Sequence, residues 1–129
     1  MATGFPAATG DVLTSAMFNG LVAFTTNTQT GTTYTAVSTD QYQVLVTMNN
    51  ASANAFKIPT NASVAFPTGT AITILNLGSG TCTISAVTSG TTTVVSAGAI
   101  SAQPTIATYK SAVCLKTGTD TWVICGAIA

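Results

Sequence analysis

From Tyr34 onward the chain is cut into short runs rich in Val, Ile, Thr and aromatic residues. The runs recur about every ten residues and are bounded by Gly, Pro, Asn or Ser. They are Tyr34–Val37, Gln43–Met48, Ala55–Ile58, Ser63–Phe66, Ala71–Leu77, Thr81–Val87, Thr92–Val95, Ile106–Leu115 and Thr121–Gly126. Punctuation this frequent leaves no stretch in which a packed helix could form, so the chain is expected to be all-β. Apolar and polar residues alternate over Ala71–Leu77 and Thr81–Ser85, the period of a strand with one face in a core. Thr suits the other face, because its branched carbon fits the pleat while its hydroxyl meets water. The expected architecture is a β-sandwich or jelly roll of about 8 short antiparallel strands.

The first thirty-three residues differ, and we read 1–33 as an arm, a short helix and a linker, with the β domain occupying 34–129. Leu13, Met17 and Leu21 fall at i, i+4 and i+8 and share one helical face. Asp11 or Thr14 could cap that helix, while Gly20 weakens it. Two roles stay open for it: closing one end of the core, or docking on another subunit. Thr25–Thr33 is polar, contains Gly31 and reads as linker.

The expected core is Ile58, Phe66, Ile72, Ile74, Ile84, Val113, Leu115, Trp122 and Ile124. In the last hairpin, a turn over Lys116–Thr121 pairs Leu115 with Trp122 and Val113 with Ile124. Cys114, Val123, Ala112 and Cys125 then fall on the opposite side. Both sides are apolar, so the hairpin is expected to be central, or covered by a neighbouring chain.

Charge is nearly absent. The chain has three Asp and three Lys, and no Glu, Arg or His. Charged residues are 5% of the chain, against about 25% in an average soluble domain. A hydrolytic triad lacks its His, and no Ser stands three residues before any Lys. Asp11, Asp40 and Asp120 lie in separate turn-like contexts, unlike a paired-carboxylate site. Cys82, Cys114 and Cys125 lack metal-ligand spacing and are expected to be reduced and buried. No enzyme activity, cofactor or metal is therefore expected. Three cations cannot neutralise a row of phosphates, so no nucleic acid is expected either. No apolar run approaches bilayer length, so no membrane partner is expected. The N-terminus carries no secretory pattern, which points to synthesis and retention in a cytoplasm. The sequons at Asn50 and Asn61 then read as chance.

A nearly neutral surface leaves strand edges unguarded. The simplest resolution is that much of it is covered by symmetry mates or by a larger assembly, where desolvating Thr and Ala costs little.

Two stretches carry a resemblance: Met48–Pro59, ending in Ile58-Pro59, and Asn61–Ile74, containing Phe66-Pro67-Thr68-Gly69-Thr70. With a Gly-rich hairpin and the closing Asp120-Thr-Trp122-Val-Ile-Cys-Gly126, they resemble a β-sandwich module of tailed-bacteriophage virion proteins. The opening Gly10–Asn19 resembles the N-terminal segment of phage appendage and decoration proteins. One arm plus one sandwich fits a capsid decoration, or cement, protein rather than a long fibre. The resemblance implies a homotrimer on the outside of the phage head, contacting the major capsid protein, after assembly in the host cytoplasm. Phe5, Leu13, Met17, Phe18 and Leu21 are the residues expected to dock. A head- or tail-fibre module that binds a host glycan is the alternative, with Tyr34, Tyr42 and Tyr109 as its Tyr candidates for sugar stacking. An ice-binding or surface-layer role is more remote, because Thr-x-Thr does not recur at a fixed period.

Overall fold

The computed structural model describes Ser15 and residues 24–96, 99–100 and 103–129. The expected docking residues Phe5, Leu13, Met17, Phe18 and Leu21 lie outside the described residues, as does most of the expected helix.

Eleven strands follow in order: β1 (Thr25–Gln29), β2 (Thr33–Thr35), β3 (Val44–Met48), β4 (Asn54–Ile58), β5 (Ala71–Asn76), β6 (Cys82–Ala86), β7 (Thr93–Ser96), β8 (Ala99–Ile100), β9 (Thr105–Ile106), β10 (Ser111–Gly118) and β11 (Thr121–Gly126). A 3-10 turn, Ser38–Gln41, precedes β3. The strands form a seven-stranded sheet, ordered β1-β3-β5-β10-β11-β7-β8, and a four-stranded sheet, ordered β2-β4-β6-β9.

The all-β expectation holds, but uniform antiparallel pairing does not. Through β6 the chain alternates between the two sheets, one strand in each. Neighbours β1, β3 and β5 are therefore parallel, and so are β2, β4 and β6. A tight hairpin needs consecutive strands in the same sheet, and here consecutive strands lie in different ones. Antiparallel pairing enters with β5–β10, β10–β11, β7–β8 and β6–β9.

Three local expectations also change. Thr25–Gln29, read as linker, is β1 and pairs with β3 along its whole length. Ser63–Phe66, read as a strand, is a turn whose Ser63 and Val64 amides donate to the Thr60 carbonyl. Ile106–Leu115, read as one run, is broken at Tyr109, which takes a left-handed backbone (φ 62°). That conformation is uncommon outside Gly and incompatible with a continuing strand.

One hydrophobic cluster joins the two sheets. Val46, Met48, Ile72, Ile74, Cys114, Trp122 and Ile124 come from the large sheet, and Phe56, Ile58, Cys82, Ile84 and Ile106 from the small one. Trp122 meets Phe66 edge-on, with centroids 5.6 Å apart and planes at 89°. Truncating a buried Trp typically costs about 3–5 kcal/mol. Of the expected core, Ile58, Phe66, Ile72, Ile74, Ile84, Trp122 and Ile124 are buried. Val113 and Leu115 are not: Leu115 is 36% exposed and Val113 half-buried.

The cause is a one-step difference in register. Trp122 pairs with Lys116, Val123 with Leu115 and Cys125 with Val113, and the ladder shifts between Lys116 and Gly118. Thr119 and Asp120 alone form the tip, since Gly118 pairs with Thr121. A slip of one residue exchanges the two faces of a strand. Cys114 and Lys116 therefore point into the core in place of Val113 and Leu115.

Asn76 ends β5 as a fully buried polar side chain. Its amide donates to the Gly80 and Ile106 carbonyls (2.9 and 2.8 Å), and its oxygen accepts the Gly78 N–H (3.0 Å). This ties the Gly-rich β5–β6 connection to β9. At Gly78 and Gly80 any Cβ would collide with the backbone of Asn50 and Ser52, so these turns require glycine.

Candidate interaction surface

Alternation along each strand assigns the side chains that point away from the core. On the large sheet they fall into rows set by the register. One row runs Thr26, Leu45, Thr73, Val113, Cys125. A second runs Thr28, Thr47, Leu75, Ser111, and a third Ala71, Leu115, Val123, Val95. No charged side chain stands in these rows. Leu45, Leu75, Val113, Leu115, Val123 and Val95 give them an apolar band of half-buried and exposed side chains, while Thr47 beside them is buried. Thr hydroxyls are interspersed, and the one from Thr47 donates to Thr28 at 3.0 Å.

The outer face of the small sheet is of a different kind. Thr33, Ala55, Thr83 and Thr105 align in one row, and Thr35, Lys57 and Ser85 in the next. Lys57 Nζ donates to Ser85 Oγ at 2.9 Å. Small hydroxylated residues with one ammonium suit contact with water, whereas the large sheet offers a surface that water solvates poorly.

Two polar clusters sit beside these sheets. Asp40, 2% exposed, accepts hydrogen bonds from Tyr34 Oη (2.6 Å), Asn27 Nδ2 (2.9 Å) and the Val37 N–H (2.9 Å). Asn27 also donates to Tyr34 Oη, and Gln29 donates to Asn27. Burial, together with the hydrogen bond to Asp40 and that residue's charge, raises the Tyr34 phenol well above its ordinary value. The cluster gives the β1–β2 end of the core a hydrogen-bonded interior where the next turns are apolar.

The second cluster surrounds Lys116, 3% exposed on β10. Its Nζ donates to Asn61 Oδ1 and to the Phe66 carbonyl, both at 2.6 Å, and lies 6.0 Å from the Trp122 ring centroid. Asp120 Oδ1 accepts the Asn61 N–H (2.8 Å) and the Thr92 hydroxyl (3.2 Å). Lys116 and Asp120 thus both anchor the β4–β5 connection at Asn61. Neither the burial of Lys116 nor its partners were foreseen from sequence, because both depend on the hairpin register.

The Tyr residues do not form one platform. Tyr34 belongs to the Asp40 cluster. Tyr42 (49% exposed) precedes β3. Tyr109 (77% exposed) precedes the antiparallel β10, and so stands at the opposite end of the sheet. The Thr runs divide as well: Thr83 faces outward on the small sheet, Thr93 belongs to the large one and Thr92 is bonded to Asp120.

Cys82 and Cys114 are buried, as expected, but Cys125 is exposed on the outer face of β11. Burial raises the Cys82 thiol to about 11 and Cys114 further, the latter aided by the neighbouring Cys82 and Cys125. Among the described residues no group of three or more His, Cys, Asp or Glu could hold a metal, and no helix is long and apolar enough to cross a membrane. Comparison with protein-family models, with curated proteins and with solved structures gave no match.

Proposed function

We propose that this chain is a structural virion protein: a decoration protein that sits on the outside of a phage head as a homotrimer and joins neighbouring capsomers. The observation that carries the reading is the uncharged apolar band across the outer face of the large sheet. A face of this kind is stabilised by being covered, and covering it displaces few strongly hydrated groups. Such a protein needs no chemistry. It binds where assembled capsomers meet and stabilises the assembly by mass action, because the separated subunits do not offer that joint. The sequence resemblance supplies the virion setting, and the neutral composition agrees with a surface that spends its life in contact.

Light scattering coupled to size exclusion, run over a dilution series, tests the first step. A trimer that survives dilution supports the proposal, and a monomer at all concentrations refutes it. Adding purified trimer to phage heads that lack it should then raise the temperature at which they release DNA. Retention on host glycans without binding to heads would favour the fibre reading instead.

A further inference from the structure

Lys116 and Asn61 bring a primary amine and a carboxamide together inside the fold. The Nζ–Oδ1 separation is 2.6 Å. At a hydrogen-bond angle of about 120°, that places Nζ about 3.4 Å from the carboxamide carbon, so that a turn of the carboxamide plane toward Nζ brings the two atoms into attacking geometry. The partners are held independently. Lys116 is fixed in β10 between β5 and β11 and is 3% exposed. Asn61 is fixed by its own N–H, which donates to Asp120 Oδ1. Both acceptors of Nζ are neutral carbonyl oxygens, and Trp122 and Phe66 wall the site with aromatic surface. Amine and carboxamide are the two groups that amide exchange between side chains joins.

We propose that Lys116 and Asn61 join in an intramolecular isopeptide bond. Nζ passes its ammonium proton to solvent and attacks Asn61 Cγ with the freed lone pair, so that the Nζ–Cγ bond forms and the Cγ–Nδ2 bond breaks. The proton lost from Nζ ends on Nδ2, which leaves as ammonia. The half-buried position of Asn61 gives the ammonia a way out. No oxidant, reductant or cofactor enters the balance. The product ties the β4–β5 connection to the middle of the seven-stranded sheet, across 55 positions of sequence. This proposal stands apart from the virion reading and survives or fails without it.

The test is the intact mass of the purified full-length chain, followed by protease mapping. The expected result is a mass lower by one ammonia and a branched peptide that joins the segment containing Asn61 to the segment containing Lys116. Lys116→Arg should restore the full mass. A native chain of full mass, with Lys116 and Asn61 recovered only in linear peptides, overturns the proposal. An ammonia loss that persists in Lys116→Arg, with no branched peptide in the unmutated chain, also overturns it, because it marks a cyclic imide at an Asn such as Asn19, which precedes Gly20. The measurement on the unmutated chain decides the matter even if Lys116→Arg folds poorly.

Discussion

Val113 and Cys114 are neighbours on β10, yet the register gives them opposite fates, and a lysine placed at each in turn measures the difference. Cys114 is fully buried in the cluster that joins the two sheets. An ammonium there loses its hydration without a counter-ion, which costs several kcal/mol. The longer side chain adds overpacking of about 1–3 kcal/mol. Together these approach or exceed about 5 kcal/mol. A chain of 129 residues has a total stability of roughly 6–19 kcal/mol at the usual figure per residue. Cys114→Lys should therefore lose between about a quarter and most of its folding margin. Val113 points outward between Thr73 and Cys125, both neutral, so a lysine there meets no like charge. Its cost should stay within about 1 kcal/mol, the span of strand propensity. Guanidinium unfolding followed by the fluorescence of Trp122, the sole Trp, reports both variants. We expect a midpoint near that of the unmutated chain for Val113→Lys and a collapsed midpoint for Cys114→Lys. Equal midpoints, or the reverse order, would refute the register and with it the apolar outer band. In light scattering, Val113→Lys should also weaken self-association while leaving the fold intact.

Three further outcomes follow from the buried polar groups and thiols. Iodoacetamide on the native protein should modify Cys125 alone, with Cys82 and Cys114 reacting only after unfolding, as read by peptide mass. Stability should fall as pH rises above the ordinary thiol value of 9.0, because the unfolded chain releases thiol protons that the folded chain retains; this continues through the folded Cys82 value of about 11 and is reinforced by Tyr34 above 10.0. Denaturant midpoints measured from pH 8 to 11 check that slope, and a rising midpoint would contradict it. Asp40→Ala leaves the Tyr34 hydroxyl and the Val37 N–H without their acceptor and the Asn27 amide with only Tyr34, so it should cost about 2–4 kcal/mol in thermal unfolding.

The strand content was legible because Val, Ile and Thr runs with alternating polarity report one covered face wherever they occur. The alternation at Ala71–Leu77 placed Ile72 and Ile74 inward without reference to any other strand. Pairing was less legible. Residues 44–48 and 71–76 lie side by side through a register of 28 positions, such as Leu45 with Thr73, and no local signal encodes such a partner. The last hairpin shows the limit sharply. Both of its faces are apolar, so hydrophobicity could not choose between them, and the irregularity between Lys116 and Gly118 decided which face turned inward. Once the parity changed, Lys116 moved from a turn into the core and its bonds to Asn61 and Phe66 became possible. β1 was missed for a related reason. Its inward residues are Asn27, which donates to Asp40 and Tyr34, and Gln29, which donates to Asn27, and they leave no apolar pattern to read.

The order of strands in the large sheet has a consequence for synthesis. β7 leaves the ribosome before β10 and β11, yet these two later strands stand between it and β5. The turns through β6 can pair as they emerge, each strand finding a neighbour already made. β7 has no place in that order. Its inner neighbour, β11, spans Thr121–Gly126. The far half of the sheet therefore closes only after β11 has been translated. A chain stopped before Ser111 would carry β7 with only the two-residue β8 beside it, and its Val94 would lack the Trp122 it pairs with in the finished protein.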